Sequence, residues 1–379
     1  MRLSHHVAAG VDSPMAAAYD AVATAAGRRP LLDLARAAPA YPPAPEVVEH
    51  AASVAADARY AAQAGLPHLR EAFAADLRAD HGGDVTADDL VVTAGCNQAF
   101  CLVADALCGP GDAVVTPRPT YFNHTMWLRM RGVEPVVLEP DADLVPRAAD
   151  AEALVGPRTR AIVLVTPGNP SGVEVPPDEL AAFADLARRH DLALVLDETY
   201  RAFRATPAHA LYSEPDWRDT VVTLHSFSKD LALAGYRVGA LAGGEALRRQ
   251  ALKLLDCVAI GAPRIGQEAA WAGLTRAGAW RRERAVEVAA RRDAFVTAMR
   301  ERPGGFEVLV SGGFFAWVRH PSDRPTPAVV KALLTEQDVL VMAGTDFQTV
   351  DDGAMRVSVG NLSGDDLDDL LGRLRQFGA

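Results

Sequence analysis

From residue 90 onward, short runs of aliphatic and β-branched residues alternate with longer amphipathic stretches. The apolar runs are Leu90–Thr93, Ala113–Thr116, Pro135–Leu138, Ala161–Thr166, Leu192–Leu196, Val221–Leu224 and Arg237–Leu241, and helix-like segments such as Asp178–Arg189 lie between most of them. Strands that read as unbroken apolar runs, separated by helices, predict an α/β fold with a large, mostly parallel, doubly wound sheet covered on both faces. The last hundred residues follow another pattern. A helical stretch from Trp271 to Arg300 precedes the candidate strands Phe306–Val310, Phe314–Val318, Val339–Met342 and Met355–Val359, which predicts a smaller α+β unit joined by a long helix. Near the N-terminus, Ser13-Pro14 reads as an N-cap followed by proline at the first helical position, starting a helix to about Gly27. The proline-rich passage from Pro39 to Pro45 must be extended and irregular. The expected division is an N-terminal arm with part of the small domain over 1–44, a large domain over 45–275 and a small C-terminal domain over 276–379.

Composition narrows the function. No apolar run approaches the ~20 residues of a membrane span, and the start, Met1 to His6, leads into an alanine-rich stretch with no signal-peptide core. A cytoplasmic protein is expected. The net charge of −11 argues against a nucleic-acid backbone as partner. Only three of the 38 basic residues are lysines, so any lysine chemistry falls to Lys229, Lys253 or Lys331. None follows a glycine, which removes the P-loop. Lys253 lies in the helical pattern Leu247–Leu255 and Lys331 in Ala328–Leu334, so both read as surface charges. The four cysteines, Cys96, Cys101, Cys108 and Cys257, show no zinc-site spacing, and no metal is expected. Cys101 and Cys108, seven apart, read as buried thiols on one helix face. Gly109-Pro-Gly111 precedes a strand and lacks the third glycine of a dinucleotide fingerprint.

Ligands of open α/β sheets bind at the carboxyl ends of strands. Gly95-Cys96-Asn97 follows the first strand and opens a helix, so its N–H groups can face an anion. Tyr121 and His124 follow the second strand, and Pro167-Gly-Asn169-Pro170-Ser-Gly172 follows the Ala161–Thr166 run. Asp197-Glu-Thr-Tyr200 and Ser226-Phe-Ser228-Lys229 follow the next two. Singly, each has a plain structural reading: Asp197 as a helix cap, Asn169-Pro170 as a turn, Tyr121 as core. Converging on one crevice, they supply an anion cradle, an aromatic plate, a carboxylate, an amide, a phenol and a lysine. With Arg237 eight residues beyond Lys229, that set suits a carbonyl held by an amine next to a phosphate, as in pyridoxal 5′-phosphate.

Thr166 to Gly172, Asp197 to Tyr200, Ser226 to Lys229, Gly235 to Gly239, Tyr60 to Arg70 and Met355 to Ser358 resemble, in order, the motifs of the class I/II aminotransferases. The likeness runs from about residue 30 to 360. It implies fold type I of the pyridoxal-phosphate enzymes, aspartate aminotransferase-like, with a ping-pong exchange of an amino group between an amino acid and a 2-oxo acid. The resemblance implies Lys229 as the Schiff-base and proton-shuttling lysine, Asp197 as the partner of the pyridine nitrogen, and His124 as its support. It implies Tyr121 as the stacking ring, and Asn169 and Tyr200 as partners of the phenolic oxygen. The phosphate falls to Ser226, Ser228, Arg237 and the backbone of Gly95, Cys96 and Asn97. Tyr60 is expected to reach the phosphate of a neighbouring subunit, which implies a homodimer with shared sites. Arg356 matches the arginine that grips the substrate α-carboxylate.

One position departs from the family pattern. Ala37 stands where a glycine usually lets a backbone amide approach that carboxylate, so a narrower pocket or a shifted arm is expected. Arg36 beside it reads as a solvated or structural arginine, with selection of acidic substrates as the alternative. Arg264 lies in about the part of the chain where dicarboxylate-specific relatives place a second arginine, which they supply from the partner subunit. The peptide bonds before Pro167 and Pro170 stay open between cis and trans. A lyase, synthase or oxidase using the same cofactor shares nearly every motif. A non-enzymatic sensor fused to a DNA-binding head suits neither the acidic composition nor the start of the chain.

Overall fold

The computed structural model describes residues 1–377 apart from 9, 11 and 26. A short strand, β1 (Leu32–Asp33), precedes seven strands of a large sheet. These are β2 (Leu90–Thr93), β3 (Ala113–Pro117), β4 (Glu134–Leu138), β5 (Thr159–Val165), β6 (Ala193–Asp197), β7 (Val221–Ser226) and β8 (Gly239–Ala242). Their spatial order is β2-β8-β7-β6-β5-β3-β4. Strands β3 to β7 run parallel, and β8 is antiparallel to both β2 and β7.

Burial on both faces explains the unbroken apolar runs. Within β5 and β6, Ile162, Leu164, Leu194 and Leu196 pack on one side with Phe73, Phe183 and Trp217. The alternate residues Ala161, Val163 and Val195 pack on the other with Phe100, Val103 and Leu255. Helices Pro67–His81, Pro177–Arg189 and Arg264–Arg276 contribute to the first layer, and Cys96–Leu107 and Glu245–Ala259 to the second. Asp197 shares the parity of Val195, so it faces the layer that begins at Cys96. The edge strand β4 is the half-exposed one.

The C-terminal part forms an antiparallel sheet. Its strands are β9 (Glu307–Gly312) and β10 (Phe315–Arg319), followed after β11 (Val339–Leu340) by β12 (Met342–Ala343) and β13 (Ala354–Val357). The order is β12-β13-β10-β9, and β1 pairs in parallel with β11, tying the N-terminal segment to this part of the chain. A separate core there includes Phe295, Met299, Phe306, Leu333 and Leu370.

Three expectations are corrected. The stretch from Trp271 to Arg300 is two helices, because buried Ala277, with a non-helical backbone (φ −106°, ψ 27°), separates Arg264–Arg276 from Gly278–Met299. The Val339–Met342 run divides between two sheets, as β11 pairs with β1 and β12 with β13. Arg237 is not in a strand: its backbone is left-handed (φ 52°, ψ 65°), and β8 starts at Gly239. The N-terminal helix is capped as expected, with Ser13 Oγ accepting from Ala16 N–H, but it ends at Thr24.

Candidate active site

The carboxyl ends of β5, β6 and β7, the turn after β2 and the segment after β3 meet at a cavity of about 150 Å³. It is lined by Cys96, Asn97, Tyr121, Val165, Asn169, Asp197, Thr199, Tyr200, Ser226, Ser228, Lys229 and Arg237. A second cavity, of about 480 Å³, shares Tyr121, Asn169, Tyr200 and Lys229 with the first. It adds Arg356, Arg36, Ala37 and Phe122, together with Met15, Ala16, Tyr19 and Asp20 of the N-terminal helix Pro14–Thr24.

At the far end of the smaller cavity, helix Cys96–Leu107 begins directly after Gly95, so its free N–H groups and dipole favour an anion there. Gly95 has φ +90°, and a Cβ on it would stand 2.7 Å from Arg237 Nη2. Only glycine lets the guanidinium come that close. Arg237 donates from Nη1 to Ala234 O at 2.9 Å and from Nη2 to Ala94 O at 3.3 Å. Backbone carbonyls thus fix the guanidinium while its charge is left for a ligand. Ser226 Oγ accepts from Ser228 N–H at 3.2 Å, closing the turn that precedes Lys229.

Asp197 ends β6 and is buried. Its Oδ1 accepts from Thr199 N–H at 3.0 Å and from the Cys96 thiol at 3.4 Å, and Oδ2 lies 3.2 Å from His124 Nε2. Burial alone would raise this carboxyl; the His124 contact and the two Thr199 donors outweigh it and hold the group below its ordinary value. Burial, and then the Asp197 charge, push the Cys96 thiol far up, so it stays protonated and donates. His124 stacks on Phe100 at 3.9 Å, which sets the plane of its ring. Asp197 is therefore an ionised acceptor facing the cavity.

Lys229 is half-buried, and its amine donates to Ala37 O. Burial first, then the charges of Arg356 and Arg237, lower its pKa to about 8, so near neutral pH a usable fraction is free amine. Arg356 is only 2% exposed. It donates to Asn169 Oδ1 at 2.7 Å, to Ala35 O and to Met342 Sδ, and lies between the rings of Phe315 and Phe347 at 4.9 and 4.8 Å. No carboxylate among the described residues pairs with it, and burial lowers its pKa to about 10. A guanidinium held this way waits for an anion.

Ten of the thirteen residues expected around the cofactor line the smaller cavity. Gly95 and His124 stand directly behind it through Arg237 and Asp197. Tyr60 does not join them; it is 79% exposed. Ala37 lines the larger cavity, and so does Arg36, as the alternative to its reading as a solvated or structural arginine requires. Arg264 is ion-paired with Asp57 at 3.0 Å and lines neither cavity. The bonds before Pro167 and Pro170 are both cis, as is that before Pro119.

Sequence reasoning missed Thr199, although its place two residues after Asp197 is where a backbone donor to that carboxylate falls. It also missed the surroundings of Glu198, which turns away from the cavity into a buried group with His81, His209 and His225. His81, Glu198 and His209 are close enough to suggest a metal. However, His209 Nδ1 accepts from Leu211 N–H at 3.2 Å, so the ring proton sits on Nε2, 3.4 Å from Glu198 Oε1. A protonated Nε2 leaves no lone pair on that nitrogen for an ion.

An anion cradle, an aromatic plate, a buried ionised carboxylate and an amine of lowered pKa define a pyridoxal-phosphate enzyme. The chain belongs to the aminotransferase class I and II family, whose signature spans residues 29–374. It is 31% identical over 310 residues to the arginine–pyruvate transaminase of Pseudomonas aeruginosa, covering 81% of this chain and 79% of that one. It is 30% identical over 316 residues to the aspartate/prephenate aminotransferase of Thermus thermophilus, 80% of each chain. Among solved structures, a double mutant of Thermus thermophilus aspartate aminotransferase matches over 100% of both chains, with a TM-score of 0.90 and 28% identity. The protein is accordingly a pyridoxal-phosphate-dependent aminotransferase acting on an amino acid and a 2-oxo acid. The donor set fits the cofactor: the cradle is closed to any side chain at Gly95, and Asp197 is held ionised in the wall of the cavity.

Proposed function

We propose the following division of labour for the aminotransferase reaction. When bound, pyridoxal phosphate supplies the electron sink that stabilises negative charge at the substrate Cα. The cradle of Gly95, Cys96 and Asn97, with Ser226, Ser228 and Arg237, holds the phosphate. Asp197, oriented by His124, Thr199 and Cys96, keeps the pyridine nitrogen protonated. Tyr121 covers one ring face, and Asn169 with Tyr200 holds the phenolic oxygen. Lys229 would hold the cofactor covalently, and its amine, freed when the substrate amine takes its place, would remove the proton from the substrate Cα and deliver it to the carbon at the other end of the new C–N linkage. Arg356 grips the α-carboxylate and so sets the Cα–H bond toward Lys229. Tyr121, Tyr200 and Phe122 narrow the cavity and limit water.

The observation that carries this reading is that Lys229, Asn169 and Arg356 open on one cavity, with Arg356 bonded to Asn169 and paired with no carboxylate among the described residues. Initial rates with amino donor and oxo acid both varied test it: parallel double-reciprocal lines are expected, and intersecting lines would overturn the two-stage order. None of the relatives named above favours a lyase, synthase or oxidase.

We further infer a homodimer, because Tyr60, a motif residue, points to solvent and away from its own chain's cavity. A second copy would bring it to the phosphate. The chain is placed in the cytoplasm on its composition; no helix among the described residues is long and apolar enough to cross a membrane. The C-terminal core, which takes in Leu32 and Leu34, supports an N-terminal arm with part of the small domain over 1–44, a large domain over 45–275 and a small C-terminal domain over 276–379.

A further inference from the structure

The larger cavity contains two guanidinium groups, and neither has a carboxylate partner among the described residues: Arg356 at the buried end and Arg36 at the mouth. Arg36 is exposed yet held in place. Its guanidinium carbon lies 4.4 Å from the centre of the Tyr19 ring. Its N–H donates to Asp33 Oδ1 at 3.2 Å, and its carbonyl accepts from Asn361 Nδ2. The Tyr19 platform is fixed in turn, since its hydroxyl donates to Asp33 Oδ2. Burial first and then Asp33, against a smaller opposing effect of Arg36, raise that phenol to about 12, so it remains a neutral donor at any working pH.

The same loop reaches the reacting groups. Ala35 O accepts from Arg356 and Ala37 O from Lys229, so Asp33, which also accepts from Ala35 N–H at 3.1 Å, holds Arg36 in register with both. Asp20 shares the rim, but none of its side-chain contacts is a hydrogen bond or ion pair among the described residues, so it is not pre-positioned. Arg264, the other candidate for a second cation, is ion-paired with Asp57 and lines neither cavity of its own chain.

We propose that Arg36 is a specificity-determining residue that receives the anionic side chain of a dicarboxylic amino acid or 2-oxo acid whose α-carboxylate sits on Arg356. This rests on the reading of Arg356 given above. A planar fork lying on an aromatic ring presents its N–H groups edge-on to a carboxylate and loses little freedom when one binds. The expected effect is a loss of about tenfold, the scale of one charge-assisted pair at a partly solvated site.

The test is equilibrium binding of two unreactive five-carbon acids, glutarate and valerate, to the cofactor-loaded protein, with kcat/KM for glutamate and glutamine measured alongside. Wild type should bind glutarate more tightly than valerate. In Arg36→Gln that ratio should fall about tenfold, and glutamate should lose kcat/KM through KM while glutamine stays within about twofold. An unchanged glutarate-to-valerate ratio in Arg36→Gln overturns the proposal. So does a wild-type preference for arginine as donor that Asp20→Asn abolishes. Arg356→Gln separates the two assignments: equal weakening of both acids upholds the α-carboxylate site whatever Arg36 does, and unchanged binding of both removes the basis of each.

Discussion

Replacing Arg356 by lysine is the sharpest perturbation of the site, because charge is kept and geometry is lost. The guanidinium fork is set by Asn169 Oδ1, Ala35 O and Met342 Sδ, and by two aromatic faces. A lysine ammonium is a point charge with no planar fork, so it keeps one contact to a carboxylate where arginine makes two parallel ones. One hydrogen bond to a charged group is worth about 1.5–3 kcal/mol. Loss of the second contact should therefore lower kcat/KM by about 10- to 100-fold. Most of the loss should fall in KM for every amino donor, with cofactor content unchanged, because Arg356 belongs to the cavity that lacks the phosphate cradle. The fold should survive, since the substitution keeps the single buried positive charge that the folded chain already accommodates. The assay is steady-state kinetics with a thermal melt and a cofactor measurement on the same samples. Activity within threefold of wild type, or a loss that tracks missing cofactor, would refute the reasoning.

Gly95→Ala should weaken cofactor binding by about tenfold or more, because the added Cβ meets Arg237 Nη2 at 2.7 Å and φ is +90°; an absorbance titration of the apoprotein measures it. The lowered Lys229 pKa makes a stability prediction for the cofactor-free protein. The folded value of about 8 lies below the ordinary 10.5, so the penalty of burying the ammonium is present in full below pH 8 and fades as pH approaches 10.5. Lys229→Met should therefore melt higher than wild type at pH 7, and the gap should close by pH 10; a constant gap would contradict the assigned burial. Phe73→Ala, 2% exposed between Phe227 and His225, should cost about 3–5 kcal/mol in denaturant unfolding.

What was legible in the sequence was local. Asp197, Lys229, Asn169 and the Gly95–Asn97 turn each follow an apolar run, and the sheet needs only its parallel order to bring them together. Long-range contacts left no such trace. The helix Pro14–Thr24 reaches the cavity through Tyr19, and Arg36 is positioned by Tyr19, Asp33 and Asn361, which lie far apart in the chain. His81, His209 and His225 are scattered along the chain and meet at Glu198 because successive residues at the end of β6 face opposite ways. Arg237 was read as strand because apolar neighbours surround it, while its left-handed backbone is imposed by the turn from Lys229 to β8. The split of Val339–Met342 is of the same kind, since both halves are apolar and only pairing with β1 separates them.

The most direct measurement mixes the cofactor-loaded protein with a single amino acid, with no oxo acid present, and counts products per subunit. The account predicts one equivalent of the corresponding 2-oxo acid, no free ammonia, and full return of the starting spectrum when a second oxo acid is added. Continuous ammonia release, or no oxo acid from any donor, would contradict it.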